Sequence, residues 1–316
     1  MTVMGSVKHL KDWDRIYRPG VDFDDGPVDK WDHGRSLALA LAGEVDSYHE
    51  HTSPDSTTEL SEDRRTATVR ARLDPEPPMK RWRLMLNDCL HAYRSSLDGL
   101  AWALAHLDNR SAAPDVAAQL YFPLAKSEKD WMRLRSKQLA SMPEIILSRL
   151  QLLQPYRFPD VDNSIGLLLH KMDVLDKHRN ELVPTLRAID GYSYAMSFSF
   201  GSQNGNITEG FEFMAPRGQI RNGDPVFKFR NSIPFELLQV HALPLVLCVE
   251  IEGGVRSVFS LLDLIERQVA GTFAALCVGY TDEAWTAHIA QGAPRPSTPW
   301  YPDRSRYDEE WAARFS

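Results

Sequence analysis

The chain has 316 residues, 43% of them hydrophobic and 25% charged, which suffices for one large or two ordinary domains around a sizeable core. A formal net charge of −7 and a pI near 5.8 argue against a broad nucleic-acid-binding surface and leave room only for a local basic patch. Three widely spaced cysteines (Cys89, Cys248 and Cys277), with no CxxC pair, exclude a disulfide scaffold and a zinc ligand set, and read as buried free thiols of a reducing compartment.

Residues 1–33 are polar and rich in Asp, Gly and Pro, and read as an irregular N-terminal arm with no apolar run of the signal-peptide kind. GRSLALALAGEVDSYHEH (34–51) reads as a first helix, broken by the polar stretch TSPDSTTELSED. TATVRARL (66–73) alternates, with Val69, Ala71 and Leu73 on one side and Thr68, Arg70 and Arg72 on the other, as a half-buried strand does. PEPP (75–78) stops it and sets up a helix start.

The longest helix is expected over 80–107, about 40 Å at the usual rise. Its apolar spine is Leu86, Leu90, Tyr93, Leu97, Leu100 and Leu104, a stripe that must be buried against other helices. Shorter helices follow over about 127–139 and 143–153, the second with Pro143 in an N1-like position. SIGLLLHKMDVLDKHRNEL (164–182) is a further helix, with Ser164 as N-cap and Pro184 just past its end.

Beyond it the periodicity changes from helical to alternating. YSYAMSFSF (192–200) and ITEGFEFMA (207–215), around the turn GSQNGN, read as a hairpin. PVFKFRN (225–231) and LVLCVEIEG (245–253) read as two more strands, and 255–279 as a closing amphipathic helix. The tail over 292–316 is Pro-rich and polar.

No apolar run approaches the ~20 residues of a membrane helix, so a cytoplasmic protein without a membrane partner is expected. The fold class is α+β: a helical bundle (80–182) packed with an antiparallel sheet of about five strands (192–253 plus strand 66–73). Because strand 66–73 is separated from the others by every central helix, one interleaved domain over 34–291 is expected.

On the long helix, Asn87, His91, Arg94 and Asp98 fall within a strip roughly 60° wide at the edge of the buried face. On 164–182, the apolar face of Ile165, Leu168, Leu169, Met172 and Leu175 continues into Asp176 and Arg179. Charges on an apolar face cost several kcal/mol each if unpaired and want opposite partners. One reading is a binding pocket (Asn87, Arg94, Asp98, Asp176, Arg179) in which the two arginines hold a small anionic ligand, with His91 or His178 as acid or base. The other is an interhelical ion-pair network, Arg94–Asp176 and Asp98–Arg179, that fixes register and does no chemistry. Equal numbers of acids and arginines favour the second.

His170 and Asp173, one turn apart, with Asp176 and His178 nearby, are scattered around their helix and do not converge as a metal site requires. No GxSxG, HExxH, GxxxxGK[ST] or GxGxxG is present, and neither a cofactor nor a metal is expected. Trp102, Trp131 and the aromatics of the sheet read as core rather than as base-stacking platforms.

LHAYRSSLDGLAWALA (90–105), FPL (122–124), LQPY (153–156) and LDKHRNEL (175–182) together resemble an uncharacterised family of bacterial proteins, whose helices read LRSALDHLAW and LDKHR. The arrangement also resembles the HEPN superfamily, helical bundles common in toxin and phage-defence systems. That resemblance implies RNase activity from an arginine followed a few residues later by a histidine. Here the matching arginine is Arg94, the position five later is Gly99, and no arginine of the chain is followed by histidine five to seven positions on. The expectation is therefore a binding or interaction protein, met by a protein partner or a small anionic ligand. The alternatives are a HEPN-like RNase or nucleotide-directed defence enzyme using Arg94, His91 and His178, and a structural protein that forms a homodimer through its helical face. RNA as a partner finds no support in the net charge.

Overall fold

A computed structural model of the chain describes residues 26–52, 55–106, 114–177, 182–188, 196–199, 210–215, 218–240, 245–251 and 254–277. Its helices are α1 (Gly26–Thr52), α2 (Met79–Ala105), α3 (Pro114–Ala117), α4 (Glu128–Lys137), α5 (Glu144–Leu152), α6 (Ile165–Lys177) and α7 (Val258–Cys277). Its strands are β1 (Asp55–Leu60), β2 (Thr66–Arg72), β3 (Thr185–Ala188), β4 (Met196–Ser199), β5 (Gly210–Phe213), β6 (Pro225–Arg230), β7 (Leu237–Val240), β8 (Leu245–Ile251) and β9 (Gly254–Ser257). The class is α+β, and the strand pairs are antiparallel. No helix among the described residues is long and apolar enough to cross a membrane. The chain forms two compact units, the first of Met1–Ala40, Met85–Leu182 and Ser260–Ser316, the second of Leu41–Leu84 and Val183–Phe259.

In the first unit the expected spine of α2 is buried, with Leu86, Leu90, Tyr93, Leu97, Leu100 and Leu104 all at most 1% exposed. Each such side chain stabilises by about 2 kcal/mol on leaving water. α1 begins at Gly26, earlier than the expected 34, with Pro27 in its first turn and Asp29 facing its positive end. The Trp31 ring so gained stacks on Phe273 of α7 at 5.1 Å. Ser127 caps α4 by accepting from the Asp130 N–H, and Trp131 behind it is fully buried. Pro143 sits at the N-cap of α5, one place before N1. Ser164 accepts from the Leu168 N–H through its carbonyl, but its hydroxyl makes no hydrogen bond, so the expected side-chain cap is absent. Trp102 is also not core: it is half-exposed and stacks on His106 at 4.0 Å.

In the second unit, the one expected sheet of about five strands is replaced by three ladders, ordered β1-β2-β6-β5, β3-β8-β9 and β4-β7. β2 pairs with β6, bringing Ala67 opposite Phe229 and Val69 near Phe227 across the central helices' worth of sequence. The expected hairpin partners separate: β5 pairs with β6, and β4 pairs with β7. On the β5–β6 pair, Phe211 faces Phe229 and Phe213 faces Phe227, with ring centroids 5.3 Å and 5.7 Å apart, so pairing with β6 satisfies an aromatic ladder.

The polar stretch read as a break contains β1, and the Ser61–Arg65 turn joins it to β2. Arg64 takes φ 56° there and donates from Nε to the Phe235 carbonyl at 2.7 Å. The start of the expected closing helix is instead β9, paired with β8.

Candidate functional site

Of the strip on α2, Asn87 and Arg94 are buried, Asp98 is a quarter exposed and the His91 side chain is 54% exposed. Arg94 and Asp98 lie one turn apart and meet at 2.7 Å between Nη2 and Oδ1. Both then turn to the same residue. Arg94 Nη2 donates to the Phe122 carbonyl at 3.2 Å, and Asp98 Oδ1 accepts from the Phe122 N–H at 2.9 Å.

Phe122 lies in the segment between α3 and α4, whose backbone would otherwise be orphaned on leaving water. Gln154, fully buried, continues the pinning through Oε1, which accepts from the Ala125 N–H at 2.9 Å, while Tyr156 N–H donates to the Ala125 carbonyl. The segment Phe122 to Ala125 is thus held from two sides, at Phe122 by Arg94 and Asp98 and at Ala125 by Gln154 and Tyr156 of LQPY.

Burial pushes the Arg94 guanidinium below its ordinary pKa, and the Asp98 and Asp173 carboxylates oppose that shift. Its Nη1 is buried and has no hydrogen-bond partner among the described residues. Among the described residues, two carboxylates, those of Asp98 and Asp173, act on this one guanidinium.

His91 has a different setting. Its Nδ1 lies 2.9 Å from Oδ1 of Asp173 on α6, and the Asp173 side chain is only 5% exposed. Ser95, one turn on along α2, places its hydroxyl 3.3 Å from His91 Nε2. A carboxylate only accepts, so Nδ1 carries a proton and Nε2 of the neutral ring is left as an acceptor. Asp173 was visible in the sequence only as a scattered metal candidate, and Ser95 carried no signal. Among the described residues, no group of three or more His, Cys, Asp or Glu is arranged to hold a metal ion.

The expected partners of Arg94 and Asp98 on the other helix cannot be placed beside them. His178 and Arg179, and the side chain of Asp176, lie outside the described residues. Gly99, five positions after Arg94, packs against the start of α1: a Cβ there would meet Pro27 Cγ at 3.3 Å, tighter than ordinary contact. The first turn of α1 occupies the space that a side chain would need.

A second polar cluster escaped the sequence reading. Glu266 of α7 is 7% exposed; its Oε1 accepts from Trp31 Nε1 at 3.0 Å, and it faces the Tyr93 hydroxyl. Burial raises its pKa, against the lowering effect of Tyr93, Trp31 and Arg35. The Tyr93 hydroxyl and the Cys89 thiol are likewise pushed up by burial, with Glu266 adding to both shifts. Cys89 donates to the Gly34 carbonyl at 3.1 Å, and Cys89 and Cys248 are buried free thiols, which makes neither a ready nucleophile. The Cys277 side chain lies outside the described residues.

Compared with protein-family models, curated proteins and solved structures, the chain matches none.

Proposed function

We propose that this is a binding or interaction protein on a HEPN-like helical bundle, and that it meets its ligand or partner through the imidazole of His91. The observation that carries the reading is the contrast across one hydrogen bond: His91 is half-exposed, while Asp173, its partner at 2.9 Å, is buried. A ring braced from behind in one tautomer loses little further freedom on binding, and its Nε2 faces the Ser95 hydroxyl at 3.3 Å, a long hydrogen bond that a stronger donor on a ligand would displace. Arg94 and Asp98 then act as framework, because their polar atoms are directed at Phe122 and at each other. A ligand or partner that donates a hydrogen bond suits this face better than a phosphate.

The test follows the ring signals of His91, identified by their loss in His91→Gln, while single-stranded RNA, mononucleotides and neutral amides are added. Binding that shifts His91 supports the reading, and binding that leaves His91 untouched while moving other residues removes it.

A second reading, an RNase of the HEPN kind, draws on the same brace, since an oriented imidazole is also what a general base requires. Cleavage of RNA that disappears in His91→Ala while the fold persists would establish it. Cleavage that survives in His91→Ala would exclude this site.

A further inference from the structure

We propose that the second unit carries a groove for a small organic anion, a carboxylate or phosphate head on an apolar body. The groove encloses about 770 Å³ between the PEPP segment with the start of α2 on one side and residues 219–222 on the other. That volume lies in the range of small-molecule sites. The proposal is independent of the His91 reading.

Hydrogen bonds fix both walls in advance. Asn222 Oδ1 accepts from the Leu73 N–H at 2.9 Å, and Ile220 N–H donates to the Leu186 carbonyl at 3.0 Å. Gly223, at φ +85°, donates to the Ala71 carbonyl at 2.7 Å and closes the turn behind them. Opposite, Met79 N–H and Arg81 N–H are turned back onto the Pro77 and Pro78 carbonyls. A preformed groove costs its ligand little ordering.

The lining is apolar where Leu73, Met79, Leu84 and Ile220 meet it, and Leu84 is left 51% exposed there. The charge on the rim selects the head group. Arg81 is neutralised by Glu44. Lys80 and Arg221 have no ion-pair partner among the described residues, and they outnumber Glu76, the lining's one acid. Lys80 and Arg81 also stand in the first turn of α2, which contains no acid although that end of a helix is its positive pole. Cations placed there repel the helix end, and an anion held by the Lys80 and Arg221 side chains would relieve that repulsion.

The test is calorimetric titration of the whole chain at low salt with octanoate and with phenyl phosphate, against inorganic phosphate and octanol as head-only and body-only controls. Saturable binding of at least one amphiphile is expected, at least about tenfold tighter than either control, with Lys80→Glu and Arg221→Glu each weakening it about tenfold. Octanoate and phenyl phosphate tell a carboxylate head from a phosphate. Both substitutions are at exposed positions, and an unchanged melting temperature shows that the fold is intact. Failure of both amphiphiles to saturate, inorganic phosphate or octanol binding as tightly as they do, or an unaltered affinity in the Lys80→Glu/Arg221→Glu double variant would overturn the proposal.

Discussion

Arg94 and Asp98 hold Phe122 by both of its backbone polar groups, the guanidinium on the carbonyl and the carboxylate on the N–H, while remaining 2.7 Å from each other. A charged pair at the edge of a buried face thereby does the work of a strand partner for a segment that has none.

The pair is expected to matter to stability more than to any activity. Asp98→Ala leaves a buried guanidinium without its hydrogen-bonded partner, with Asp173 as the remaining carboxylate acting on it, and Phe122 without an acceptor, and should cost about 3 kcal/mol. The double variant Arg94→Met/Asp98→Asn removes both charges, keeps volume and keeps an acceptor for Phe122, and should recover most of that loss. Urea denaturation with unchanged m-values measures both. A loss under about 1 kcal/mol for Asp98→Ala would mean that the segment is held elsewhere.

His91→Ala takes the ring from the buried Asp173 carboxylate and should cost about 1–3 kcal/mol, as losing one partner of a buried acceptor does. His91→Gln keeps an N–H donor within reach and should cost less. Equal losses in the two variants, read from the same denaturation curves, would indicate that packing and not the hydrogen bond is at stake.

Gly99→His installs the histidine that the HEPN pattern places five residues after its arginine. Because even a Cβ there would meet Pro27 at 3.3 Å, a side chain at this position requires Pro27 to give way, at an expected cost of about 1–3 kcal/mol by overpacking. Thermal melting checks the loss, and an RNase assay on the folded variant is expected to show no gain in cleavage. A variant as stable as the parent would mean that α1 yields easily at this point.

The buried carboxyl of Glu266 makes stability depend on pH. Its folded pKa is raised by burial, against the Tyr93, Trp31 and Arg35 side chains, with Asp32 adding to the rise. An unfolded glutamate ionises near 4.3. Below that pH both states keep the proton and the contribution is complete; it is lost as pH rises from there through the raised folded value. Denaturation midpoints of the parent should therefore fall across this window relative to those of Glu266→Gln, which cannot ionise. Parallel curves for the two proteins would show that the carboxyl is not held protonated.

The helical half of the molecule was legible wherever one face alone had to be apolar. The 4, 3, 4 spacing of Leu86, Leu90, Tyr93 and Leu97 admits no other element, and those residues form the core. The sheet was less so, for two reasons. β1 is a polar edge strand whose residues carry no alternation of hydrophobicity, and β3, β7 and β9 are four residues each, too short for a period to register. The choice of β6 as partner for both β2 and β5 rests on phenylalanines that meet only after folding.

At the site, the Asn87–Asp98 strip could be read from helical geometry. Its partners could not: Asp173 lies 82 positions from His91, and Phe122 contributes only backbone, which every residue has. The charge count pointed to pairing between helices and gave no hint that Arg94 would meet an acid, Asp98, within its own helix.

Asp173 holds His91 in the Nδ1-protonated tautomer and leaves Nε2 as the acceptor facing the Ser95 hydroxyl. Long-range proton–nitrogen NMR of the histidine rings, with His91 assigned through its absence in His91→Gln, reads this directly at a pH where the ring is neutral. The account predicts a protonated Nδ1 and an unprotonated, acceptor-type Nε2 for His91, reverting to the Nε2-protonated form favoured by a free imidazole in Asp173→Ala. A His91 ring that already carries its proton mainly on Nε2 in the parent protein would contradict it.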